Sequence, residues 1–379
     1  MQYDAIIIGA RCAGAATALQ LARGGKNVLV LDRNRPGTDT MSTHALMRGA
    51  VIQLERWGLL DSVIASGAPE VTRTRFSYGE ETIDLPIKPS HGTRSLIAPR
   101  RYILDQILAD AATEAGADIR YGCSFVNVQR DPYGHIEGVI YDSPDRRKIA
   151  YAPLVIGADG RRSTVARRVH SRVLQTAEHA TNCIYAYVTG LPNTGYQWFY
   201  QEGLGTGAIP THNNTHCVFA STSAPRLRRL LPDLGRDGAL RHLLKEANPN
   251  FGEQLNSAKI VTRPVIYGGD PGFLRTSAGP GWALVGDAGY FKDPLTAHGI
   301  TDAFRDAELL SQTILTGGSL YDYEATRNAW SAELFAVTNR IAALDWSLDE
   351  LKLLHLRLNE IMKAEQSIIA GEERMPLAA

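Results

Sequence analysis

Near the N-terminus an apolar run over residues 3–8 is followed by Gly9 and then by small and apolar residues at helical spacing over 13–23. The Gly24-Gly25 break leads to a second apolar run, 27–32, that ends in Asp32. Unbroken apolar runs of this length predict strands buried on both faces, and the 3.6-residue rhythm between them predicts a covering helix. Two more runs, 154–157 and 282–285, predict further buried strands, the second leading past Pro294 and His298 to a helix over about 301–314. Between 171 and 274 the rhythm drops to two, with Val, Ile, Tyr, Thr and Phe in short runs broken by Asn, Gly and Pro. That pattern predicts an antiparallel sheet, its best strands being 183–188, 196–200, 207–210 and 216–220. A segment over 227–248, rich in Arg and Leu, reads as a helix with a solvated charged face, and helical spacing resumes over 321–370.

Strand, glycine turn, helix and acid-ended strand form a βαβ unit that binds a mononucleotide. A phosphate would sit on the free amides at the helix N-terminus, and Asp32, 18 residues beyond Gly14, can accept hydrogen bonds from a ribose diol. The turn reads Gly9-Ala10-Arg11-Cys12-Ala13-Gly14, so Arg11 stands where a middle glycine normally lets backbone approach a pyrophosphate. Its guanidinium can instead address the phosphates.

Composition narrows the partners. Over 379 residues, 40 Lys+Arg balance 40 Asp+Glu, so no global field draws nucleic acid or an anionic membrane. No apolar stretch approaches the length of a spanning helix. The first apolar run is short and lacks a basic leader, which reads as a strand and places the chain in the cytoplasm. Cys12, Cys123, Cys183 and Cys217 are far apart with no C-x-x-C pair, which predicts reduced, mostly buried thiols and no metal site. His212 to His216 imitates a zinc-helix spacing but lacks the glutamate and contains Asn213-Asn214, so it reads as a hairpin turn.

Two further segments, Ile156-Gly157-Ala158-Asp159-Gly160-Arg161-Arg162-Ser163 and Leu284-Val285-Gly286-Asp287-Ala288, complete a set. With the first turn, they resemble the dinucleotide, Asp-Gly and Gly-Asp motifs of FAD-dependent monooxygenases of the para-hydroxybenzoate hydroxylase class, whose fold is shared by geranylgeranyl reductases and flavin-dependent halogenases. The resemblance implies an α/β chain with a discontinuous Rossmann-like FAD-binding domain over 1–75, 98–170 and 275–318. A mixed or antiparallel substrate sheet, 76–97 and 171–274, is inserted in it, and a C-terminal helical region spans 319–379. It further implies that FAD is held by Gly9, Arg11, Cys12, Ala13, Gly14, Asp32, Arg33, Ser42, Arg101, Phe125, Asp159, Gly286, Asp287, Pro294, Gly299, Ile300 and Thr301. Asp287, at the carboxyl end of a strand, would accept from ribityl hydroxyls. The helix after Gly299 would aim its positive end at the flavin.

The same resemblance implies that FAD reduced by NADPH or NADH activates O2, and that a flavin hydroperoxide transfers one oxygen atom to an aromatic or apolar organic substrate. No second nucleotide fingerprint is present, so the nicotinamide donor binds transiently or a separate flavin reductase supplies the electrons. No protein nucleophile is needed and no G-x-S-x-G occurs. Tyr196, Trp198 and Tyr200 are substrate-pocket candidates on alternate strand positions, and His44, Tyr290 and His298 are candidates for proton handling. Each has a structural alternative, in the core or in a hydrogen bond. Tyr196-Gln197-Trp198-Phe199-Tyr200 is also similar to the Tyr-x-Trp-x-Phe signature of geranylgeranyl reductases, although Gln201 replaces the proline that follows it there. A double-bond reductase is therefore the nearest rival, ahead of a halogenase or a flavin-binding sensor, and the oligomer is a monomer or homodimer.

Overall fold

The computed structural model describes residues 3–40 and 42–372. Its central sheet runs in the order Ala278–Gly279, Trp282–Leu284, Val155–Gly157, Ala5–Ile8, Val28–Asp32, Asp118–Tyr121. All neighbours are parallel except the first pair, with Ile7 between Ile156 and Val30. The alternation of side chains explains why these runs carry no polar stripe. Ala5, Ile7, Val28 and Val30 pack into the main core with the helices Cys12–Arg23, Arg101–Glu114 and Gly299–Leu315. Ile6, Ile8, Leu29 and Leu31 pack the opposite way, on the antiparallel meander Ser124–Arg130, Ile136–Asp142 and Arg147–Tyr151.

The second large sheet is ordered Lys259–Ile260, Asn182–Thr189, Thr215–Thr222, Leu204–Thr211, Tyr196–Gln201, Arg73–Tyr78, Glu81–Pro86. It is antiparallel but for the parallel pairing of Tyr196–Gln201 with Arg73–Tyr78, so the early hairpin starts at Arg73, a few residues before position 76. Ile184, Ala186, Val188, Phe199 and Val218 face the helices Ala224–Ala247 and Pro249–Ser257. Cys183, Tyr187, Trp198, Ile209 and Phe219 face the main core. The 213–214 turn has positive φ at both asparagines, 59° and 51°, as a tight hairpin requires. In Ala224–Ala247 the helix breaks at Gly235, φ 62°, a kink that its helical spacing did not announce. Leu320–Ala342 and Leu348–Ala370 close the chain, burying Leu334, Ile341, Leu351 and Leu358. The four cysteines are free and buried. Among the described residues no helix is long and apolar enough to cross a membrane.

Candidate functional site

The carboxyl ends of the central strands open onto a cavity of about 900 Å³. Two helices begin at it, Cys12–Arg23 and Gly299–Leu315, and neither has a side-chain cap on its first amides. Uncapped helix N-termini carry free N–H groups and partial positive charge, which suits an anion. Gly9 has φ +107°, and Gly14 packs so closely that a Cβ there would lie 1.8 Å from the Gly9 carbonyl oxygen. The turn is thereby pressed flat against the strand ends. Asp32 accepts from the Ala10 amide at 2.8 Å and from the Asn34 amide at 2.7 Å, tying the first strand to the loop after the second.

Around this cavity stand Gly9, Arg11, Cys12 and Ala13 from the first turn, with Asp32, Arg33 and Phe125 at one end. Ser42, Arg101, Asp159 and Asp287 line it as well, with Pro294, Gly299 and Ile300 also in the wall. Gly14, Gly286 and Thr301 are not in the lining: the two glycines make close backbone approaches behind it, and Thr301 is buried in the helix. Arg101 is no solvated charge, since it grips Asp105 at 3.1 Å while Cys12 Sγ donates to the same carboxylate at 3.1 Å. Burial pushes the Cys12 thiol well up, so it stays protonated. Asp159 accepts from Ser163 Oγ at 2.5 Å and from the Thr164 amide at 2.6 Å, anchoring the turn that follows it. Burial raises the Asp287 pKa, against the pull of Lys292, Arg101 and Arg161.

The other candidates lie elsewhere. Tyr196, Trp198 and Tyr200 are buried outside the lining, in an aromatic cluster with Phe76, Tyr78, Phe219 and His355. Their alternation marks one inward face, and that face meets packed rings before it meets the cavity. His44 is fully buried behind lining residues Thr43 and Ala45, at φ +64°, with Nε2 hydrogen-bonded to Tyr187 Oη. Burial, Arg100, Arg101 and His212 hold its pKa well below the usual imidazole range, so the ring is neutral. Tyr290 and His298 are buried behind the wall as well.

Sequence reasoning missed the opposite end of the cavity, where Cys183, Tyr185, Phe291, Lys292 and Asp302 form the wall. Lys292 pairs with Asp302, Arg305 with Glu365 at 2.7 Å and Asp306 at 2.8 Å, and His298 Nε2 with Glu365 at 2.5 Å. His298, Asp302 and Glu365 bring ligand atoms within 4.8 Å of one another, and two cations are paired with these carboxylates, Lys292 with Asp302 and Arg305 with Glu365.

A family model for the FAD binding domain matches residues 2–317. The chain belongs to the FAD binding domain family. It is 26% identical to a menaquinone reductase of Mycolicibacterium smegmatis over 375 residues, 90% of this chain and 84% of that protein. It is 27% identical to a squalene epoxidase of Schizosaccharomyces pombe, over 86% of this chain and 72% of that one. In fold it resembles a flavin-dependent brominase, with a TM-score of 0.80 at 17% identity, covering 97% of this chain and 94% of that one. This member of the family is an FAD-dependent oxidoreductase. Its walls suit the cofactor: an uncapped helix end at the first turn for the pyrophosphate, a second at Gly299 facing the same cavity, a cradle only glycine permits, and carboxylates for hydroxyls at the buried Asp32 and the half-buried Asp287.

Proposed function

We propose that the protein is a monooxygenase that inserts one oxygen atom from O2 into an aromatic or apolar organic substrate, using electrons from NADPH or NADH. The observation that carries this reading is the set of apolar and aromatic side chains that Ala45, Cys183, Tyr185, Phe291 and Pro294 contribute to the cavity wall. FAD, when bound, supplies the oxygen and electron chemistry. The protein's part is to bind, orient and exclude water. Gly9 to Ala13 and the amides at Gly299 hold the cofactor, Asp287 and Asp32 orient its hydroxyls, and the apolar side chains of that wall limit water at the reacting atoms. The phenol of Tyr185, pushed up by burial, stays protonated and can donate a hydrogen bond to a polar substrate group.

The test is oxygen uptake and NADPH or NADH consumption over phenolic, polyketide and quinone compounds, with products weighed by mass spectrometry. Substrate-stimulated uptake with one added oxygen atom is expected. Anaerobic saturation of a double bond would replace this reading with the reductase one, which the similarity to a menaquinone reductase favours.

Replacing Asp287 by Ala is expected to weaken FAD binding by about 1.5–3 kcal/mol, the usual loss for a hydrogen bond to a charged group. A fluorescence titration of the apoprotein with FAD would measure it. Unchanged affinity would remove Asp287 from the cofactor site.

A further inference from the structure

Lys292 is 6% exposed, in the extended stretch between Tyr290–Phe291 and the turn Pro294–Thr296. An ammonium in such a wall is costly to bury, and neither a nucleotide-binding turn nor a helix end requires one. Here it is embedded in a built network. Asp302, its partner on Gly299–Leu315, also borders the cavity and lies 3.4 Å from Arg305. Behind them Arg305 and His298 converge on Glu365 of the last helix. Asp306 adds a carboxylate, Asp287 faces Lys292 from the turn after Trp282–Leu284, and the Tyr290 ring lies 5.1 Å from Nζ.

The direction of the cofactor follows from the site already described. With its pyrophosphate on the first turn and its adenosine ribose at Asp32, the remaining half must run away from Ser124 and Phe125. It then reaches the wall of Tyr185, Phe291, Lys292 and Pro294. A ring at that end gains negative charge on reduction, and a fixed positive charge on a buried side chain of the wall favours its reduced form.

We infer that the Lys292 ammonium, held by Asp302 and by the Arg305–Glu365–His298 chain behind it, sets the reduction potential of the bound flavin by stabilising the reduced ring. This rests on FAD occupying the cavity, and it holds whether the enzyme oxygenates or reduces its substrate. Burial and Arg305 pull the Lys292 pKa down to about 7, against Glu365, Asp287 and Asp306. The charge is therefore present at pH 6 and lost as the pH rises through 7.

The test is the midpoint potential of the FAD-loaded protein at pH 6, by dye equilibration, for wild type, K292M, K292Q and K292R. The neutral variants are expected to lower the reduction equilibrium constant at least tenfold, about 30 mV for a two-electron couple. K292R should stay within threefold of wild type. A neutral variant that retains FAD at the wild-type potential overturns the inference, and so does K292R falling as low as K292M. Should both neutral variants lose FAD, the wild type and K292R decide. Between pH 6 and 9 the wild-type potential should drop relative to K292R, because arginine keeps its charge, and parallel pH dependences overturn the inference. A wild-type protein that takes up no FAD is a different failure, that of the flavin assignment.

Discussion

Replacing Gly14 by Ala is expected to yield a destabilised protein that does not retain FAD. The added Cβ would stand 1.8 Å from the Gly9 carbonyl oxygen and 3.1 Å from Ala158 Cβ, where real Cβ contacts essentially never fall below 3.0 Å. Neither the Gly9 carbonyl nor the helix can yield alone. The carbonyl belongs to the turn that the Asp32–Ala10 hydrogen bond holds against the sheet. The helix Cys12–Arg23 is wedged between Arg101–Glu114 and Gly299–Leu315. Backbone must separate from backbone, so the cost belongs at the upper end for overpacking, about 3 kcal/mol or more. The same separation misdirects the first-turn amides, and cofactor retention should fall with stability. Gly268→Ala is the control, since its Cβ meets nothing within 4 Å and its φ is not left-handed. Thermal melting and the flavin-to-protein absorbance ratio check both variants. A G14A protein that is yellow and melts with the wild type would refute the close-packing argument.

Gly14 was legible in the sequence because its constraint is local. The turn, the helix it opens and the acid at Asp32 lie within one short stretch, and periodicity reports such stretches directly. The strands at 155–157 and 282–284 were legible for a related reason, since a strand covered on both faces leaves no polar stripe. The wall at Lys292 was not. Asp302, Arg305 and Asp306 sit at helical spacing beside Ile300, Ala303, Phe304 and Ala307, and charges so placed read as the solvated face of an amphipathic helix. They are buried because the last helix brings Glu365 against them from 60 residues away in the case of Arg305, a contact that no local pattern encodes. Tyr196, Trp198 and Tyr200 show the converse. Alternation announced a buried face, but whether rings or a cavity lay opposite depended on Arg73–Tyr78, which pairs with that strand from more than 100 residues earlier.

That long-range contact carries the second large effect. Replacing Glu365 by Gln is expected to destabilise the protein by about 3 kcal/mol, the scale for breaking a buried ion pair from one side. The substitution leaves Arg305 buried without one of its carboxylates, and His298 facing an amide. Surface pairs such as Arg357–Glu333 are a useful contrast, because water screens them and E333Q should change little. The pH dependence gives the argument a sign. Burial alone would raise the Glu365 pKa, but His298 and Arg305 outweigh it and hold the carboxyl down to about 2, from 4.5 when free. A depressed carboxyl pKa contributes stability that is fully present above pH 4.5 and lost as the pH falls toward 2. The gap in unfolding free energy between wild type and E365Q should therefore be widest at neutral pH and close progressively below pH 4.5, as denaturant titrations at several pH values would read. A gap that stayed constant down to pH 3 would mean that Glu365 acts through its shape and not its charge. The charge reading has a consequence at the cavity. Glu365 is among the carboxylates that oppose the lowering of the Lys292 pKa, so E365Q should shift the lysine further toward its neutral form.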